Sequence, residues 1–383
     1  MRYRVMAVIA GSAATMLIAG GAGAATLPRS AGLAGPTATT PITAYVLNEG
    51  SNSVTPINTA TNTAGKAIPV GSTPFAIAIT PDGKTAYVAN ANSNTVTPIN
   101  TATNTAGNPI PVGTLPFAIA ITPDGKTAYV ANANSSNVTP INTATNTAGA
   151  PIPVGDNPHA IVITPNGKTA YVADRGADEV TPITVATNKP GKAIKVGSMP
   201  AALVVTPNGT TVYVANSAEF TGNGSVTPIH AATNTTGKAI KVGELPLAMA
   251  TTPNGATIYV LSGPNQNVTP IRTATNTALK PIAVGGDPAA IAITPNGRTA
   301  YIAGNGCACV VPISTLTNKV GKSIRVGFQP SAIAVTHDGT MVYVVNSFVN
   351  ENSGTVTPIR TATNTALIPI PVGNFPSAIA ITP

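Results

Sequence analysis

Eight tyrosines, Tyr45, Tyr87, Tyr129, Tyr171, Tyr213, Tyr259, Tyr301 and Tyr343, recur along the 383-residue chain at intervals of 42 residues, with one interval of 46. A self-similar period of this length is that of a propeller blade. The second copy shows the pattern: Phe75-Ala-Ile-Ala-Ile-Thr80, the turn Pro81-Asp-Gly-Lys84, Thr85-Ala-Tyr-Val-Ala-Asn90, a connection from Ala91 to Asn94, Thr95-Val-Thr-Pro-Ile-Asn100, a Thr/Asn-rich loop, and Pro109-Ile-Pro-Val-Gly113. These read as four short strands, a to d, punctuated by turn residues. Asp82-Gly83 suits a tight a-to-b hairpin in which Gly takes a positive φ. Four antiparallel strands repeated radially make an all-β fold, a β-propeller.

Composition agrees with this reading and excludes others. Charged residues are 8% of the chain, against about 25% in ordinary domains. Val and Ile runs continue throughout, which is unlike a disordered chain. The 36 Gly and 36 Pro would break helices every few residues. The repeat is entered at strand b (Thr43 to Asn48) and left after strand a (Pro376 to Pro383). The two fragments complement each other, so eight blades are expected, closed by N-terminal strands b, c and d with C-terminal strand a; seven is the alternative if one fragment stays unpaired.

Residues 1–25 have the three parts of a signal peptide: basic Arg2 and Arg4, an apolar stretch from Val5 to Gly20, and small residues Ala22-Gly23-Ala24. Residues 26–42 read as a Thr/Ala/Gly/Pro-rich linker and 43–383 as the propeller. The expected location is therefore secreted, extracellular or at the cell surface, with no membrane span after cleavage. A monomer is expected. Loss of Arg2 and Arg4 takes the formal charge from +8 to +6.

Ala-Tyr-Val-Ala-Asn at 86–90 and 128–132, with Thr-Pro-Asp-Gly before it and Asn-Thr-Val or Ser-Asn-Val after it, resembles the YVTN-type β-propeller repeats of secreted and surface-layer-like proteins. The resemblance spans 43–383 and implies a structural and binding scaffold. One departure is Pro at 56, 98, 140, 182, 228, 270, 312 and 358, inside strand c. Proline cannot donate to a ladder, so pairing of c with d should fail there through a bulge or a short d. Pro or Lys in d (Pro69, Lys195) suits an exposed outer edge.

Antiparallel order puts the d-to-a and b-to-c connections on one rim, the upper face. These connections vary between copies, whereas the lower turns and loops barely change. Nine of the twelve acidic residues map to the upper face, while of the seventeen basic residues in the repeats only Arg175 does. The sequence thus predicts an acidic upper face and a basic underside suited to an anionic envelope polymer. Binding is expected on the upper face, with Asp156, His159, Asp174, Arg175, Asp178, Glu179, Glu244 and Asp287 as candidate ligand contacts.

The sequence holds no nucleophile motif, phosphate loop or metal signature. A non-catalytic binding scaffold without a cofactor, partnered by a cell-envelope polymer or protein, is the favoured function. The alternative is a metal-dependent, lactonase-like hydrolase or lyase at the channel mouth, with Ca²⁺ as a candidate ion for the acids. Cys307 and Cys309 could chelate Cu(I) or Zn, but a structural site normally needs four ligands, so a local disulfide is preferred. Nucleic acid is not expected as a partner, because basic residues are spread around a ring and aromatics for stacking are few.

Overall fold

The computed structural model describes residues 42–217, 224–350 and 353–383, with the side chains of 348–350 and 353 excluded. The signal-peptide and linker assignments up to residue 41, Glu219, Glu351 and most of the two four-residue insertions lie outside the described residues. Eight antiparallel sheets form eight blades. In blade 1, strand b (Thr43–Asn48) pairs on one side with c (Ser53–Asn58) and on the other with the C-terminal strand a, Pro376–Ile381. Blade 2 carries a, b and c at Pro74–Ile79, Thr85–Asn90 and Thr95–Asn100. The terminal fragments thus complete one blade, and the count is eight. Among the described residues no helix is long and apolar enough to cross a membrane.

Blades do not have private cores. Alternate residues of strand b face opposite neighbours: Tyr45 and Leu47 pack with Ile77, Ala86 and Val88 of blade 2, whereas Ala44 and Val46 pack with Tyr343 and Val345 of blade 8. Eight apolar clusters lie between consecutive blades in this way. A blade excised from the ring would expose both faces, so closure is a condition of stability.

Strand d is split, and the proline in c explains why. In blade 1 the first half, Thr63–Ala64, pairs with the lower end of c, and the second, Ile68–Pro69, with its upper end. Pro56 lies opposite the gap, where its carbonyl accepts from Gly65 N–H at 2.7 Å while its missing N–H leaves no donor for a continuous d. The repeated Thr-Pro-Asp/Asn-Gly turn is equally determined. Thr80 Oγ1 donates to Asp82 Oδ1 at 2.7 Å and accepts from Thr85 N–H, and Gly83 takes φ +72°. Asn166 makes the same bond in blade 4, which is why Asp and Asn interchange there.

Each strand-b tyrosine reaches the following blade. Its hydroxyl donates to the Asn side chain at a left-handed position of that blade's c-to-d loop, as in Tyr45 to Asn104 and Tyr87 to Asn146. The ring of eight bonds, at 2.5–2.7 Å, closes with Tyr343 to Asn62 across the two ends of the chain.

Burial pushes the hydroxyls of Tyr45, Tyr259 and Tyr343 up to about 12. A raised pKa stabilises the fold fully below the unfolded value near 10 and less as pH climbs through 12. Thermal melts should therefore show Tm steady to about pH 10 and falling steeply between pH 10 and 12. Tyr259→Phe, which strips the bonds to Asn318 and the Thr315 carbonyl, should cost about 1–2 kcal/mol in urea unfolding at neutral pH.

Candidate functional site

Strand a is the innermost strand of every blade, and neighbouring a strands approach one another around the channel. At its upper end each a strand carries the same irregularity: Pro74 pairs with Asn90 and Ala76 with Ala89, which leaves Phe75 as the extra residue of a bulge. All eight blades repeat it. Bulges re-aim side chains, and here the bulged residues of adjacent blades meet. Phe75 and Phe117 have ring centroids 4.2 Å apart, and Phe117 and His159 4.1 Å apart at an interplanar angle of 30°. Blades 5 to 7 put Ala201, Leu247 and Ala289 at this position, and blades 8 and 1 put Ser331 and Ser377.

The charged residues of the mouth stand on opposite sides of this aromatic row. Beyond its His159 end, Arg175 is buried one residue after strand b of blade 4. Burial, aided by the Arg175 charge, pushes the His159 imidazole down to about 3, so it is neutral at physiological pH. Beyond the Phe75 end, Glu49 of blade 1 donates its N–H to the Phe375 carbonyl, and burial raises its carboxyl pKa despite the nearby Ser377 hydroxyl. Beside it, Ser347 Oγ lies 2.7 Å from both Ser331 Oγ and the Pro376 carbonyl oxygen.

Of the other sequence-predicted contacts, Asp156, Asp174 and Glu179 gather around the loops of blade 4, and Glu244 and Asp287 lie in other blades. Asp174 occupies the fully buried position that is Asn in most blades, where Thr181 donates to its Oδ2 at 2.6 Å. Burial raises it to about 7, opposed by hydrogen bonds from Thr181 and the Gly155 amide. Asp178 accepts from Met199 N–H at 2.8 Å, which ties its loop to the next blade as Asn52 does with Thr73. Asp156 Oδ1 accepts from Ser136 at 3.3 Å. Glu179 points to the outer edge, paired with Lys195 at 3.1 Å. Glu244 and Asp287 belong to the loops entering blades 6 and 7, where the Glu244 N–H donates to Asn265 and Asp287 holds φ 49°. Of the eight expected contacts, His159 and Arg175 stand together at the mouth, Asp174 lies buried in the same blade, and Asp156, Asp178 and Glu179 also hold neighbouring rim connections.

The predicted charge partition is corrected as well. Because the second half of split d climbs to the upper end of c, Lys195 reaches the upper rim, where Nζ donates to the Ala177 carbonyl. Lys241 and Arg325 stand at the same register. Among the described residues no group of three or more His, Cys, Asp or Glu could hold a metal ion. Cys307 and Cys309 are joined by a disulfide, and a disulfide sulfur is not the thiolate that ligates metals. Sequence reasoning missed Phe75, Phe117, Ser331 and Ser377 as mouth residues; their shared place one residue after the strand-a proline was the available signal.

A family model described as "Lactonase, 7-bladed beta-propeller" matches residues 151–368. The chain belongs to this seven-bladed lactonase propeller family. It closes eight blades where the family description counts seven. A YNCE-like beta-propeller model matches residues 2–137. None of the curated proteins matches the chain. Among solved structures, hydrazine synthase of Kuenenia stuttgartiensis is similar at TM-score 0.63 and 26% identity, over 76% of this chain and 96% of that one. Dihydro-heme d1 dehydrogenase NirN, in complex with DHE, is similar at TM-score 0.76 and 16% identity, over 88% and 74% of the two chains. A functionally unknown protein from Desulfotomaculum acetoxidans DSM 771 has TM-score 0.59 and 17% identity, over 89% and 98%. The last two show the fold alone.

The buried carboxyl gives a test with a definite sign. Asp174, raised from 3.8 to about 7, favours the fold below pH 4 and withdraws that contribution as pH rises through 7. Asp174→Asn restores the residue found in most copies. It should raise stability at pH 8 by a few kcal/mol, at about 1.4 per pKa unit, and leave it little changed at pH 4, as read from urea unfolding at both pH values.

Proposed function

We propose that this propeller is an exported, non-catalytic binding scaffold that engages a cell-envelope polymer or protein through its upper face. The observation that carries the reading is the bulge of strand a, which turns one side chain per blade to the upper channel mouth, where identities change from Phe to His to Ser around the ring. The polar residues of the lower turns are engaged in repeated bonds of their own, such as Thr122 to Asp124. The resemblance of Ala86 to Asn90 and its counterparts to YVTN-type repeats supports a scaffold, as does the signal-like segment at 1–25. The reading takes no cofactor and a monomeric chain.

The match to a lactonase family model supports one second reading, a metal-dependent, lactonase-like hydrolase or lyase with a site at the channel mouth beside His159 and Arg175. Ca²⁺ would be its candidate ion. Gluconolactone hydrolysis that disappears in His159→Phe would establish this reading in place of the first.

Purified protein should be retained on cell-envelope fractions. Phe328→Ser with Phe375→Ser, which removes two exposed upper-face rings, should reduce retention at least about five-fold, whereas Lys84→Glu with Lys126→Glu on the lower turns should leave it within about two-fold. The reverse pattern, with salt-sensitive retention lost in the Lys variants, would move the binding surface to the basic underside.

A further inference from the structure

We infer that the channel mouth holds a site for a planar aromatic cation, which stacks on Phe75 above Ser377 and Ser331 and sets its positive charge against Glu49. This rests on the upper-face binding reading and gives it a ligand class. Blades 2, 3 and 4 fill the bulged position with rings in contact at 4.1–4.2 Å, Phe117 stacked on His159 and Phe75 tilted by 36° against Phe117. The row stops at Phe75. The next two bulged positions are Ser377 and Ser331, side chains far smaller than a ring, while Phe75 and Ser377 both remain partly exposed. A ligand ring therefore continues a stack that the protein begins.

Charge fixes the orientation. Arg175 adds positive charge at the His159 end, and Glu49 is the acidic residue at the Phe75 end. Phe75 and Phe117 lie between them, and aromatic faces themselves attract cations. The Ser377 hydroxyl lies against the Glu49 carboxyl and lowers its pKa, a smaller effect than the burial that raises it. A cationic nitrogen on the ligand pairs with the Glu49 carboxylate. An anionic ring of the same shape meets Glu49 with like charge and is rejected.

Three acridines of matched shape test the site at neutral pH: cationic proflavine, neutral acridine and anionic acridine carboxylate, titrated by fluorescence and calorimetry. Wild type should bind one proflavine per chain, about ten-fold more tightly than acridine, a difference of about 1.4 kcal/mol, with acridine carboxylate weakest. Glu49→Gln should erase the preference for the cation. Phe75→Leu, which keeps an apolar side chain without a ring, should weaken both proflavine and acridine about ten-fold. Ser377→Phe, which supplies the missing ring from the protein, should abolish binding, with Tm checked for every variant. Equal affinity for the three acridines, no binding at all, or binding untouched by Glu49→Gln and Phe75→Leu would overturn the site. Envelope retention with no proflavine binding would remove this site and leave upper-face binding standing. Proflavine binding without envelope retention would do the opposite.

Discussion

Everything in this propeller depends on a phenol crossing from one blade to the next. Strand b is buried on both faces, and its tyrosine is the one large side chain there with a polar end. Burying that hydroxyl without a partner would forfeit about 1–3 kcal/mol of what the ring gains by packing. The next blade therefore has to present an acceptor at a fixed height. The Asn at the left-handed position of the c-to-d loop does so, because Asn tolerates positive φ better than most residues and carries an amide oxygen on a short stem. One bond thus ties three features of the repeat together: the tyrosine, the length of the unit between successive tyrosines, and the Thr-Asn-rich loop.

The same bond accounts for closure. Eight donors and eight acceptors pair only if the last blade meets the first, and Tyr343 to Asn62 is that meeting. The main-chain partner of the closure is strand a of blade 1, supplied by the C-terminal residues. A ring with seven blades would leave one tyrosine, one Asn and two apolar faces unmatched in this chain. Blade number is therefore a property of the copies present, and membership of a family described as seven-bladed does not override it.

Much of this was legible in the sequence because it is periodic. The 42-residue interval, the Gly turns and the complementary ends gave the fold, and the strand-c prolines foretold the break in d. The site was less legible. Asp178 and Glu179 looked like ligand contacts because acids in variable loops usually are, but side-chain acceptors in these loops hold neighbouring connections together, and Glu179 pairs with Lys195 only because split d returns to the upper end of c. Asp174 looked like an acid at the rim, yet it stands in the buried Asn position. Phe75 and Phe117 looked like ordinary apolar residues of strand a. Only the bulge, a one-residue shift in backbone pairing, shows that they leave the sheet and meet at the mouth.

A bulge repeated in every blade has a further consequence for where such a fold can carry function. Residues of the b strands and the tyrosine loops are constrained from two sides, by their own sheet and by the adjacent blade, so a change there disturbs an interface. The d-to-a and b-to-c loops have more freedom, but several of their side chains cap the neighbouring connection, as Asn94 does for Leu115 N–H. The bulged residue is outside the ladder, and in blades 2 to 4 it contacts its equivalents in the adjacent blades. It is the position where identity can change from ring to imidazole to hydroxyl without breaking a hydrogen bond on which the ring depends. The variety observed there, set beside the uniformity of the tyrosine and Asn positions, follows from that difference in constraint, and it makes the mouth of the channel the place where one such propeller can differ chemically from another.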